Sequence, residues 1–244
     1  MQIKDIYINY IEYGNKKGKP VVLLHGWGQN IEMMDPIGRG LEKDYRIIIL
    51  DLPGFGKSGE PKSNYTLYDY YDILCGFLDK LKVKNPILVG HSFGGRLAII
   101  YGAKRKVEKL VLLAAPFKRS AEKDNLKVKI LKLAKTIPFT EKVKAYAKNK
   151  IGSSDYKDAS PVMKTVLVNT VNEDLTEYLK QITAPTILIW GDLDEAVSVE
   201  DAKEAEKIMK DAGLIIYDGC THYAYLERID QTVNILKKFF GDKK

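Results

Sequence analysis

A chain of 244 residues with 45% apolar content is long enough to remove roughly 70–75% of its unfolded surface from water, which points to one core domain with room for an insertion. The formal charge of +7 is concentrated, because residues 116–150 hold eleven Lys or Arg against three acids, about +8, and the remainder is close to neutral; this distribution argues against a nucleic-acid-binding protein. Two cysteines, Cys75 and Cys220, are too few for a disulfide framework and lack metal-ligand spacing, and no stretch is apolar enough to span a bilayer.

The first ten residues mix Lys4 and Asp5 with apolar side chains and do not read as a secretory signal. A cytoplasmic setting without stable membrane association is therefore expected, with no cofactor or metal and a monomeric or homodimeric state. A pair of strands is expected within Ile3 to Tyr13, followed by β-branched runs at Val21–Leu24, Arg46–Leu50, Ile87–Val89, Leu110–Leu113, Thr186–Trp190 and Leu214–Tyr217. Helical periodicity fills most intervals, at Tyr65–Leu81, Gly94–Lys104, Glu200–Lys210 and Ile229–Phe240. Strands alternating with helices predict an α/β fold, a mostly parallel eight-stranded sheet flanked by helices. The interval after the sixth strand is too long for a simple connection. It has helical patterns around Leu126–Ile137, Val143–Ile151, Pro161–Val171 and Leu175–Ile182, which divides the chain into a core at 1–115 and 185–244 and a helical lid at 116–184. Lysines occupy the polar face of the first of these patterns, as on a solvated amphipathic helix.

The chemistry-bearing residues fall at the ends of the expected strands. Gly90-His91-Ser92-Phe93-Gly94 follows the Ile87–Val89 run and opens a helix, the context a G-x-S-x-G nucleophile turn requires. Small residues two before and two after the serine let neighbouring chain approach without a β-carbon in the way. The helix start also offers unpaired N–H groups, Phe93 among them, to a developing oxyanion. Trp190-Gly191-Asp192-Leu193-Asp194 leaves the next apolar strand, and Gly219-Cys220-Thr221-His222 leaves the one after. Serine, acid and histidine in that order, at the C-terminal edge of a parallel sheet, suit nucleophilic catalysis: imidazole takes the serine proton, and a carboxylate fixes its tautomer.

As a set, these stretches, together with His25-Gly26-Trp27-Gly28, Asp51 to Ser58 and His222 to Glu227, resemble the α/β-hydrolase superfamily, in its small bacterial branch of esterases, lipases, cofactor-free haloperoxidase-like enzymes and carbon–carbon hydrolases. The resemblance covers nearly the whole chain. It implies Ser92 as nucleophile, His222 as base, Asp194 rather than Asp192 as acid, and the backbone N–H groups of Trp27 and Phe93 as oxyanion hole. Trp27 is also expected to line the substrate pocket, with His25 and His91 as supporting residues. Arg96, in the setting Ser-Phe-Gly-Gly-Arg, resembles enzymes that cleave or eliminate substrates bearing carboxylates, including the menaquinone-pathway synthase of this fold, and is a candidate substrate contact; a structural ion pair is the competing reading. The expected function is hydrolysis of a small-molecule carboxylic ester, with carbon–carbon cleavage, such an elimination, or a non-catalytic ligand-binding role as alternatives. Gly54-Phe-Gly56-Lys-Ser-Gly59 matches a dinucleotide fingerprint, but Pro61 follows where a helix should open, and Asp51 stands where a Walker A motif needs glycine.

Overall fold

The computed structural model describes residues 1–118 and 160–241. Seven strands, β3 (Tyr10–Gly14), β4 (Pro20–Leu24), β5 (Arg46–Leu50), β6 (Ile87–His91), β7 (Lys109–Leu113), β8 (Thr186–Gly191) and β9 (Ala212–Tyr217), form one sheet in the order β3-β5-β4-β6-β7-β8-β9. Pairing is parallel throughout except for β3, which runs antiparallel to β5 along the edge. Such a sheet is covered on both faces, so its strands read as continuous apolar runs rather than alternating ones. Val21 to Leu24 are all wholly buried.

Successive residues nevertheless serve different cores. Val22, Leu24, Ile48, Leu88, Leu110, Leu112 and Trp190 point to one face, where α2 (Leu67–Lys80), α3 (Phe93–Lys104) and α6 (Val199–Ile208) pack. Val21, Leu23, Ile47, Ile49, Val89 and Val111 point to the other, against α1 (Ile31–Leu41) and α8 (Ile229–Phe240). Each fully buried aliphatic side chain contributes about 1.5–3 kcal/mol relative to exposure, so this two-sided burial is what fixes the strand ends where the candidate site lies. Helix starts are marked locally: Asn30 accepts from the Glu32 N–H, and Thr66 and Asp69 form a reciprocal capping box at α2.

The N-terminal pair departs from expectation. Two short strands, β1 (Gln2–Ile3) and β2 (Ile6–Tyr7), close on each other through a turn in which Lys4 has φ 48°, and this ribbon stays apart from the main sheet. The main sheet therefore has seven strands, not eight. The reason lies in the partners: Gly59 donates to the Tyr7 carbonyl (2.8 Å) and Ser58 Oγ accepts from the Asn9 N–H (2.9 Å), so the loop at 58–59 takes the groups a sheet neighbour would have used. Only β3, beyond that contact, joins the sheet.

Of the helical patterns between β7 and β8, those at Leu126–Ile137 and Val143–Ile151 lie outside the described residues. The other two form α4 (Pro161–Val171) and α5 (Thr176–Gln181). Pro161 occupies the first turn of α4, where its missing N–H costs nothing, and α5 packs against α3 and α6.

Candidate active site

Ser92 stands between the last residue of β6 and the first of α3 with φ 49° and ψ −111°. This conformation is costly for any residue with a side chain, on the order of 1–3 kcal/mol, and persists only where the surroundings impose it. They do so through close backbone approach. A β-carbon at Gly94 would stand 2.5 Å from the Leu24 carbonyl oxygen and 2.6 Å from that of His25; one at Gly90 would meet the Gly94 carbonyl oxygen at 2.5 Å. Hydrogen bonds lock the turn from both sides, Ser92 N to Leu113 O (2.9 Å) and Gly94 N to His25 O (3.1 Å). Ser92 itself is only half-buried, at the C-terminal edge of the sheet.

The acid and the imidazole meet two strands away along the same edge. After β8, Asp194 accepts through Oδ1 from the Ala196 (2.8 Å) and Val197 (3.0 Å) N–H groups, and its Oδ2 receives His222 Nδ1 at 2.8 Å. Both side chains are buried. The carboxylate is thus occupied at each oxygen, and a proton held at Nδ1 leaves the lone pair of the neutral ring on Nε2. Asp192 is engaged elsewhere, accepting from the Cys220 N–H (3.2 Å). His222 reaches back toward the nucleophile strand: its ring centroid lies 4.9 Å from that of His91, the residue before Ser92, and its carbonyl oxygen is 3.1 Å from His91 Nε2.

Trp27 and Phe93, the two expected N–H donors, lie on adjacent strand ends, since β4 pairs with β6 in the register Leu24 to Gly90. Their rings stack edge to face at 5.3 Å, and Phe55 completes the group 4.9 Å from Trp27. The Phe93 N–H is the first of α3, one of the donors an α-helix cannot satisfy internally.

A family model for the alpha/beta hydrolase fold matches residues 19–137. The sequence is 28% identical over 255 residues to Lipase 1 of Psychrobacter immobilis, covering 94% of this chain and 79% of that one. It is 28% identical over 241 residues to the pimeloyl-(acyl-carrier protein) methyl ester esterase of Legionella pneumophila (strain Paris), covering 91% and 95%. The crystal structure of the enol-lactonase from Burkholderia xenovorans LB400 superimposes with a TM-score of 0.84 at 18% identity, over 98% of each chain. The chain belongs to the α/β-hydrolase superfamily.

Within this hydrolase the supporting polar residues have defined tasks. Asp51, buried at the end of β5, accepts from Asn9 Nδ2 (2.7 Å), Ile31 N (2.8 Å) and Lys57 N (2.8 Å), pinning the Asp51–Ser58 loop that carries Phe55. His25 is wholly buried, with Nδ1 donating to Gly26 O (2.7 Å) and Nε2 accepting from Leu52 N (2.9 Å). Burial lowers its pKa to about 4.

The Arg96 side chain, the candidate substrate contact, is buried, and Nε, Nη1 and Nη2 donate to the carbonyls of Thr170 (3.1 Å), Pro116 (3.0 Å) and Glu173 (2.5 Å). All three acceptors are main chain, so these bonds are not the ion pair of the competing reading. Desolvation lowers the Arg96 pKa to about 10, with the nearby Glu173 and Asp174 charges opposing that shift. The carbonyl partners, 20 and 74–77 residues away, leave no mark on the sequence beside Ser92.

Two residues to which the sequence assigns no role hold the histidine loop. Glu227, at the end of the one-turn helix α7 (Ala224–Glu227), accepts from the Thr221 N–H (2.9 Å) and from the Thr221 hydroxyl, gripping the residue before His222. Gln29 bridges Gly26 N (3.1 Å) and Tyr223 Oη (3.0 Å) beneath the same loop. The one available signal was spacing, a carboxylate five residues after the histidine. Among the described residues, no group of three or more His, Cys, Asp or Glu is arranged to hold a metal, and no helix is long and apolar enough to cross a membrane.

Proposed function

We propose that the protein, an enzyme of the serine-hydrolase type, cleaves a small carboxylic ester through an acyl-enzyme on Ser92, and that residues 116–184 form a cap over a core made of 1–115 and 185–244. The observation that carries this reading is the buried Asp194 to His222 bond at 2.8 Å, on the sheet edge that also presents the strained Ser92 turn. In acylation, Ser92 Oγ attacks the ester carbonyl carbon while His222 Nε2 takes the hydroxyl proton. The carbonyl oxygen becomes an oxyanion facing the Trp27 and Phe93 N–H groups. Collapse breaks the bond to the alkoxy oxygen, which leaves as an alcohol with the proton from His222. Water then repeats the sequence on the acyl-enzyme, releasing the acid and restoring Ser92.

A lipase and a methyl ester esterase among the relatives support an ester substrate. The engagement of Arg96 by three carbonyls supports that reading over a carboxylate-bearing substrate. The test is turnover of short-chain p-nitrophenyl esters by wild type and Ser92→Ala, with labelling by a fluorophosphonate. Loss of about 10⁴-fold in kcat and of label at residue 92 is expected; unchanged turnover in Ser92→Ala overturns the proposal.

A further inference from the structure

We propose that His91 is a positioning residue for His222, acting through the main chain: its Nε2–H holds the His222 carbonyl and so sets where the base stands over Ser92. The inference rests on the Ser92 and His222 reading above. His91 is the last residue of β6, wholly buried, and covalently next to Ser92. Its Nε2 lies 3.1 Å from the His222 carbonyl oxygen and its Nδ1 3.2 Å from Gln29 Oε1.

Two oxygens thus face one ring. Burial and the neighbouring His222 hold its pKa well below the ordinary imidazole value, so the ring is neutral and has a single N–H. The Gln29 oxygen already accepts from the Gly26 N–H (3.1 Å), whereas among the described residues the His222 carbonyl has no other hydrogen-bond donor, and leaving that buried acceptor unpaired is the costlier arrangement. The N–H therefore belongs at Nε2, toward His222.

The other restraints on the base leave a gap that this bond fills. Asp194 fixes the ring through Nδ1, but from the β8 side, and Glu227 grips Thr221 from within the same C-terminal segment. Gln29 and Met33 O tie Tyr223 and Tyr225 to the region around the start of α1. Among the described residues, the bond from His91 joins the histidine loop to the strand that carries the nucleophile. A displacement of about 1 Å between reacting groups costs on the order of 100-fold in rate, so a tether at that junction governs kcat without touching substrate.

The test compares His91→Leu, His91→Gln and His91→Asn, using p-nitrophenyl acetate kinetics and the rate of Ser92 labelling by a fluorophosphonate. A glutamine amide nitrogen reaches about where Nε2 stands, and an asparagine nitrogen about where Nδ1 stands. His91→Leu and His91→Asn are expected to lower kcat roughly 10–100-fold with KM changed less than about 2-fold, and to slow labelling by the same factor; His91→Gln restores both to within about 5-fold of wild type. Equal rates for Gln and Asn, or wild-type kcat in His91→Leu, overturn the proposal, and the Gln and Asn pair decides it if the leucine variant does not fold. Wild type that labels at Ser92 without hydrolysing any ester defeats the ester reading alone, and the labelling rates still judge His91. Absence of label at Ser92 defeats both.

Discussion

The Ser92 turn and the loops that carry Asp194 and His222 share one sheet edge yet are held in place by different physics. Around Ser92 the geometry is imposed by exclusion: backbone passes so close to Gly90 and Gly94 that no β-carbon fits, and the strained φ of Ser92 follows. Around Asp194 and His222 it is imposed by attraction, through the Ala196 and Val197 N–H groups, the Glu227 grip on Thr221 and the His91 contact to the His222 carbonyl. Exclusion fails all at once when breached. Hydrogen-bonded placement degrades in steps, because each bond contributes a net kilocalorie or so.

Four perturbations would break or sharpen that contrast. The largest effect is expected for Asp194→Asn, which preserves shape while removing the charge that fixes the His222 tautomer in the proposed mechanism; kcat should fall about 10⁴-fold with little change in urea midpoint. A loss of stability larger than about 3 kcal/mol would show that Asp194 holds the loop more than it serves chemistry. Next comes Gly94→Ala, where two main-chain carbonyls cannot yield: destabilisation of about 3 kcal/mol or more, or failure to accumulate folded protein, is expected by urea denaturation. A mild effect would place the turn among the graded structures instead.

Acid should act on the buried imidazoles beneath both regions. His25 has its folded pKa lowered to about 4 from an unfolded value near 6.5, so between these values the unfolded chain binds the extra proton and stability falls as pH falls. His25 is expected to contribute a loss of about 2 kcal/mol from pH 7 to pH 5, a share that should vanish in His25→Gln, which keeps an acceptor for the Leu52 N–H, while the share from buried His91 remains. Equal slopes in the two proteins would assign the pH dependence elsewhere. The smallest effect is expected for Glu227→Gln, which retains an oxygen for Thr221 but loses the charge: about 10-fold in kcat, measured with stability, and a wild-type rate would remove Glu227 from the placement of His222.

The legibility of the sequence follows the same division. The parallel strands announced themselves because a strand buried on both faces must be apolar throughout, and the nucleophile turn because close approach admits only glycine at set spacings. The edge was less legible: whether Ile3 to Tyr7 joined the sheet depended on a loop fifty residues on, at Ser58 and Gly59. Glu227 and Gln29 were silent because a polar residue that bonds to main chain leaves no periodic signature. The partners of Arg96 are equally silent, since only the fold reveals that carbonyls surround it.

Those carbonyls belong to the two stems of the segment between β7 and β8. Pro116 lies on the outgoing stem, Thr170 and Glu173 on the returning one, and a further bond from Leu175 N to Phe117 O (2.6 Å) ties the stems directly. Doubling the length of a closed loop costs only about 0.6 kcal/mol in chain entropy, so a joint stapled at its base by Arg96 and by the Leu175 to Phe117 bond tolerates connections of very different length between its stems.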